Sequence, residues 1–132
     1  MGSPRFPRQL AGGLAAFDLV LGVTALFFPA TYLALLHPAF AGGPTYLLAR
    51  TGAIWLFFAG VEAWAAFLGG SLALVGALRL MDVPADPVYF ASAGDLGTLG
   101  RIALLGSPLF NAAAGLYLVR HARTRPGAPQ PS

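Results

Sequence analysis

Cysteine is missing from these 132 residues, and so is lysine: all eight basic residues are arginine. Without thiols the chain offers no disulfide, no thiolate nucleophile, no iron–sulfur ligand and no cysteine-based zinc site. Charge of either sign is scarce, at 10% of residues against roughly a quarter in soluble domains. Hydrophobic residues make up 57% and the mean hydropathy is +0.70. A chain this short cannot fold that much apolar surface inside itself, so an ordinary soluble domain is excluded and a lipid bilayer is the expected solvent. The arginines form no basic patch interleaved with exposed aromatics, which argues against a nucleic-acid partner.

Catalytic signatures are also lacking. There is no G-x-S-x-G, phosphate-binding loop or H-E-x-x-H. The two histidines, His37 and His121, fall on opposite membrane sides in the topology derived below and have no companion ligands for zinc. The reading leans away from an enzyme. No metal and no cofactor is expected, although a bound lipid or quinone is compatible with the chain.

What the sequence does contain is long apolar runs separated by proline and glycine. About 20 apolar residues make one crossing, so the expected fold is an all-α membrane protein, a bundle of four transmembrane helices at about 10–28, 45–68, 71–82 and 99–119 within one domain, 10–120. Residues 1–9 form a cytoplasmic N-terminal tail, and the basic, proline-containing segment 121–132 is expected to be a disordered cytoplasmic tail. Pro29 stops the first run, and PATYLALLHP reads as a short interfacial helix. The pair Gly69 and Gly70 fits a tight turn between helices. SLALVGALRLM is short before DVPADP, where Pro84 and Pro87 are expected to end regular helix, so the third span is foreshortened. VYFASAGDLGT reads as a connection.

Arginine placement sets the topology. Arg5 and Arg8 precede the first span, while Arg120, Arg123 and Arg125 follow the last; an even number of crossings puts them on one side, which the positive-inside rule makes cytoplasmic. Arginine in place of lysine, with abundant Ala and Gly, reads as a GC-rich bacterial genome, so the expected location is the bacterial inner membrane.

Charges inside spans cost about 2.5–3.5 kcal/mol each on insertion scales and are the informative residues. Asp18 sits mid-span on a stripe with Ala11, Ala15, Gly22 and Ala25, a narrow face suited to close helix packing. It is either a proton or cation site or a carboxyl held by an arginine or a neighbouring helix. In the fourth span Arg101, Pro108, Asn111 and Gly115 share a face. Asn111 is placed to satisfy the carbonyl that Pro108 leaves free or to bond Asp18. Arg50, Arg79 and Arg101 approach the outer leaflet, which also receives Asp82, Asp86 and Asp95. Two readings follow for this group: charge pairing that caps the bundle, including Arg79 with Asp82, or an outward-facing pocket for an anionic headgroup, quinone or small acid, floored by Asp18 and Asn111. Glu62 lies toward the cytoplasmic end on a different face from Arg50, where it would snorkel, pair, or meet a partner chain.

The stretch LLARTGAIWLFFAGVEAW, with an arginine opening the second span and glycines punctuating it, resembles small bacterial four-helix proteins of the DoxX-like and related uncharacterised groups. The likeness extends over the four-span plan, about residues 9–120. It implies a small inner-membrane protein, in some cases an accessory subunit of a quinone-linked redox system, and transfers no catalytic residue. Three functions are therefore carried forward: a non-catalytic accessory or scaffold subunit assembling with itself or a membrane-protein partner, a carrier using Arg50, Arg79 and Arg101, or a proton-coupled transporter using Asp18.

Overall fold

Proline and glycine punctuate the fold much as they punctuate the sequence. The structure, a computed structural model, describes residues 5–40, 45–92 and 96–124, and among them every regular element is helical. In order these are α1 (Phe6–Phe27), α2 (Pro29–Leu36), a 3-10 turn (Pro38–Phe40), α3 (Tyr46–Phe67), α4 (Leu72–Asp82), α5 (Ala85–Ser92) and α6 (Thr98–Arg123). Segment 41–44, Asp95, and the tail from Arg125 onward lie outside the described residues.

Three helices, α1, α3 and α6, are long and apolar enough to cross a membrane. A third or less of each apolar window is buried within the chain; the outward faces carry side chains such as Phe17, Val20, Phe57, Ile102 and Leu109. Such surfaces are stable against lipid rather than water. Thr24 and Thr51 return their hydroxyls to the carbonyls of Val20 and Leu47 at 2.7 and 3.2 Å, so neither hydroxyl is left as an unsatisfied donor on an apolar face.

α4 does not meet the length of a span. Its eleven residues rise only about 16 Å. Ser71 caps its start, accepting from the Leu74 amide at 3.2 Å, and the helix breaks at Val83–Pro84. Beyond the break the structure departs from the expected connection: Ala85–Ser92 is the helix α5. Pro87 falls in its first turn, where the missing amide would have had no helical partner, so it does not end the helix there. The segment PATYLALL is α2, entered through a break at Phe28 and opened by Pro29.

The helices form two antiparallel pairs, α1 with α3 and α4 with α6. Each pair closes on glycine. The backbones of Gly22 and Gly52 approach so closely that a β-carbon on either would stand 2.9 Å from the other's carbonyl oxygen, and Gly76 and Gly115 repeat the arrangement at 2.8 Å. Small residues at a crossing are what membrane helices use to gain dispersion contact when the surroundings are as apolar as the interface. Arg8 adds a tie at the end of the first pair, donating from Nη1 to the Ala65 carbonyl at 2.8 Å. The α3–α4 turn runs through Gly69 at φ +83°, a backbone conformation that glycine adopts without strain.

A small apolar core of Ala11, Leu14, Ala65, Ala66, Leu72, Val75 and Leu118 joins the two pairs at the end of the bundle where α1 begins and α6 finishes. There the Phe6 and Tyr117 rings meet edge to face, 5.5 Å apart. The opposite end is closed by rings: Tyr32 lies against Trp55 and His37, and His37 against Tyr89. Burial with no partner for Nδ1 lowers the His37 pKa from its ordinary 6.5, desolvation being the cause.

A β-carbon introduced at Gly52 or Gly115 meets backbone, which cannot move aside without separating the helices. Gly52→Ala and Gly115→Ala are therefore expected to destabilise the bundle by about 1–3 kcal/mol, whereas Gly60→Ala, where nothing lies within 4 Å, is expected to change stability by no more than about 0.5 kcal/mol. Thermal unfolding in detergent distinguishes the two classes.

Candidate functional site: a buried arginine and its partners

Between the apolar core and the aromatic end, the four longest-packed helices turn their polar residues toward one another. On α1 the small stripe is the buried face, and Asp18 lies in it beside Ala11, Ala15, Gly22 and Ala25. On α3 the buried face is Gly52, Ala59, Glu62, Ala65 and Ala66; on α4 it is Leu72, Val75, Gly76 and Arg79. Asn111 shares the buried face of α6 with Ala114, Gly115 and Leu118. The glycine crossings bring these faces close enough for one long side chain to reach all the others.

That side chain is Arg79, only 3% exposed. Its Nε donates to Glu62 Oε1 at 2.8 Å and its Nη2 to Asp18 Oδ2 at 2.6 Å, with Nη2 also in ion-pair contact with Glu62 Oε1. Nη1 reaches Asn111 Oδ1 at a longer 3.4 Å. The amide nitrogen of Asn111 in turn donates to Asp82 Oδ2 at 3.0 Å and to Ser107 Oγ at 3.1 Å. One guanidinium on α4 thus holds a carboxylate on α1, a carboxylate on α3 and an amide on α6, and the amide extends the chain to the end of α4. Charge-assisted bonds of this kind are short and strong, and in a low-dielectric interior each removed partner leaves a costly orphan.

Several expectations are corrected by this geometry. Of the readings for Glu62, snorkelling and outward exposure are the ones corrected, while the ion pair is present: it is 1% exposed and bonded to Arg79. Arg79 turns into the bundle, and its hydrogen bonds go to Asp18, Glu62 and Asn111 rather than to Asp82. Asn111 does not bond Asp18 directly, because the Arg79 guanidinium stands between them. The three arginines do not converge either. Arg50 is exposed on α3 and Arg101 is exposed on α6, its Nε donating to the Leu96 carbonyl at 3.0 Å. Asp86 lies in the first turn of α5, apart from the bonded set.

Glu62 was the member least visible from sequence as part of an interior group. The signal was present: Gly52, Ala59 and Ala66 recur at seven-residue intervals, the period of a packed helix face, and Glu62 falls on that face at three residues from Ala59. Measured from Arg50 instead, it falls on another face, and Arg50 turned out not to mark the interior.

Chemically, the arrangement is a charge clamp with titratable groups. Among the described residues, no group of three or more His, Cys, Asp or Glu side chains is disposed to hold a metal ion. Comparison with protein-family models, with curated proteins and with solved structures gave no match.

If Arg79 clamps the helices, Arg79→Met leaves buried carboxylates uncompensated and is expected to cost about 3–5 kcal/mol. The combined variant Asp18→Asn, Glu62→Gln, Arg79→Met removes both sides of the imbalance and should regain most of that loss. Detergent or chemical unfolding of the chain reads both; equal stability of wild type and Arg79→Met would show that the clamp contributes nothing.

Proposed function

We propose that this chain is a four-pass protein of the bacterial inner membrane with both termini in the cytoplasm, acting as a non-catalytic accessory or scaffold subunit that assembles with itself or with a larger membrane protein. The observation that carries the reading is that Arg79, the most deeply buried of the described arginines, is spent on the chain's own Asp18, Glu62 and Asn111. An arginine so engaged braces helices against one another. Binding an anionic ligand there would first require breaking those bonds, which makes the carrier alternative the weaker one.

Four passes are supported by the end-to-end relation of the helices. The start of α1 and the last turns of α6 meet at Phe6 and Tyr117, which an even number of traverses requires. The third traverse would be α4 continued by α5 across the Pro84 break, the two together having about the reach of a span at 1.5 Å per residue. Arg5 and Arg8 at one terminus, with Arg120 and Arg123 at the other, favour the cytoplasmic side for that end. The apolar outer faces, broken by unfilled glycine positions at Gly13 and Gly60, suit contact with a further helix as well as lipid. The resemblance to DoxX-like proteins points the same way, toward small accessory subunits.

Two measurements test this. The chain lacks cysteine, so single cysteines placed at Arg5 and at Thr124 report topology without background: both are expected to be shielded from a membrane-impermeant maleimide in intact cells and labelled after lysis, and labelling of one alone from outside would overturn the even-pass arrangement. Separately, crosslinking in native membranes followed by isolation in mild detergent is expected to recover the chain in an oligomer or with a membrane partner. A lone monomer with no crosslinked product would sink the scaffold reading.

A further inference from the structure

The buried cluster is unbalanced in charge. Asp18 and Glu62 are each 1% exposed and Arg79 is 3% exposed, so two carboxylates share one guanidinium and, fully ionised, would carry a net negative charge in the middle of an apolar bundle. Among the described residues, Arg79 is the cation bonded to Asp18 and Glu62. From α1, Arg8 donates to the Ala65 carbonyl; from α3, Arg50 is exposed about one turn into the helix; from α6, Arg101 donates to the Leu96 carbonyl and Asn111 is neutral. From α4 itself comes Asp82, which adds a further carboxylate through Asn111. An isolated charge is not sustained in such surroundings and is neutralised by a proton or a cation.

The two carboxylates are not held equivalently. Asp18 meets Nη2 at 2.6 Å. Glu62 receives both its contacts on one oxygen, Oε1, and its second oxygen, Oε2, is buried without any hydrogen-bond partner. A carboxylate distributes its charge over both oxygens, so an ionised Glu62 would leave half of it facing no donor. A cation at that position would need several more oxygens around it, and the described residues supply no such cluster.

We propose that Glu62 is an exchangeable proton-binding site: its side chain holds one proton on Oε2 while Arg79 and Asp18 remain paired, and releases it to water by way of the Asp82 side of the cluster. The step is a simple acid–base exchange, in which the O–H bond of the Glu62 carboxylic acid breaks, the electron pair stays on the carboxylate and a water molecule takes the proton. Asp82 is the partly exposed member of the set, located where α4 breaks before Pro84, and is joined to the interior through Asn111. Release places a second full negative charge against Arg79 and draws the guanidinium toward Glu62, at the expense of its longest bond, the 3.4 Å contact with Asn111. Protonation thereby changes the tie between α4 and α6. This site is independent of whether the chain works with a partner.

Glu62 is the sole glutamate in the sequence, which permits a test that needs no mutation. The full chain, reconstituted in lipid and labelled with carboxyl-13C glutamate, is examined by infrared difference spectroscopy between about pH 5 and about pH 9, the range in which buried carboxyls titrate. The expected result is a protonated-carboxyl band that shifts with the isotope, disappears reversibly as pH rises, and is lost in Glu62→Gln but kept in Asp18→Asn. Absence of an isotope-sensitive protonated band across that range overturns the proposal. A band insensitive to the label and lost in Asp18→Asn also overturns it, assigning the proton to Asp18, as does a sodium-dependent gain in thermal stability without any protonated band, which assigns a cation. In Asp82→Asn the band is expected to remain while its response to a pH jump slows; an unchanged response removes the proposed route.

Discussion

A single guanidinium, that of Arg79, is the point on which the rest of the molecule is arranged. Its Nε and Nη2 engage carboxylates on α3 and α1, its Nη1 reaches the amide on α6, and its own backbone belongs to α4. Hydrocarbon offers no competing hydrogen bonds, so these partners have nowhere else to go. The apolar core that joins the helix pairs is small and lies toward one end of the bundle. In the middle, the charged cluster is what specifies how the α1–α3 pair sits against the α4–α6 pair.

The glycine crossings make that reach possible. Gly22 against Gly52 and Gly76 against Gly115 bring each pair of backbones together, and the buried polar residues follow within one to three turns of the crossings. Packing of small residues and pairing of buried charges are therefore coupled: a bulkier side chain at a crossing would move the carboxylates away from the arginine, and loss of the arginine would leave close-packed helices with repelling groups between them. In a bilayer, where burial of apolar surface does not by itself favour helix association, both devices are needed.

Some of this was legible along the chain. The runs that become α1, α3 and α6 were visible from length and apolarity, and the small-residue stripe carrying Asp18 was visible from helical spacing. α5 was obscured by two prolines that suggest a break twice, although the second, Pro87, sits in a first turn where proline is tolerated. Glu62 was obscured because its depth along α3 suggested a route to the surface, and a one-dimensional depth does not tell which face a neighbouring helix covers.

The sequence by itself determined that the chain is helical and apolar, which of its segments are long enough to span, and that few charges would have to be accommodated inside, because these depend on local composition, on spacing along one helix, and on the cost of taking charge out of water. Only the tertiary structure decided that Arg79 belongs with Asp18, Glu62 and Asn111 and apart from Arg50 and Arg101. Those partners are separated by 61, 17 and 32 positions. Their meeting depends on the approach of four helices through glycine contacts, and helix-to-helix geometry of that kind is a property of the packed assembly that no single segment encodes.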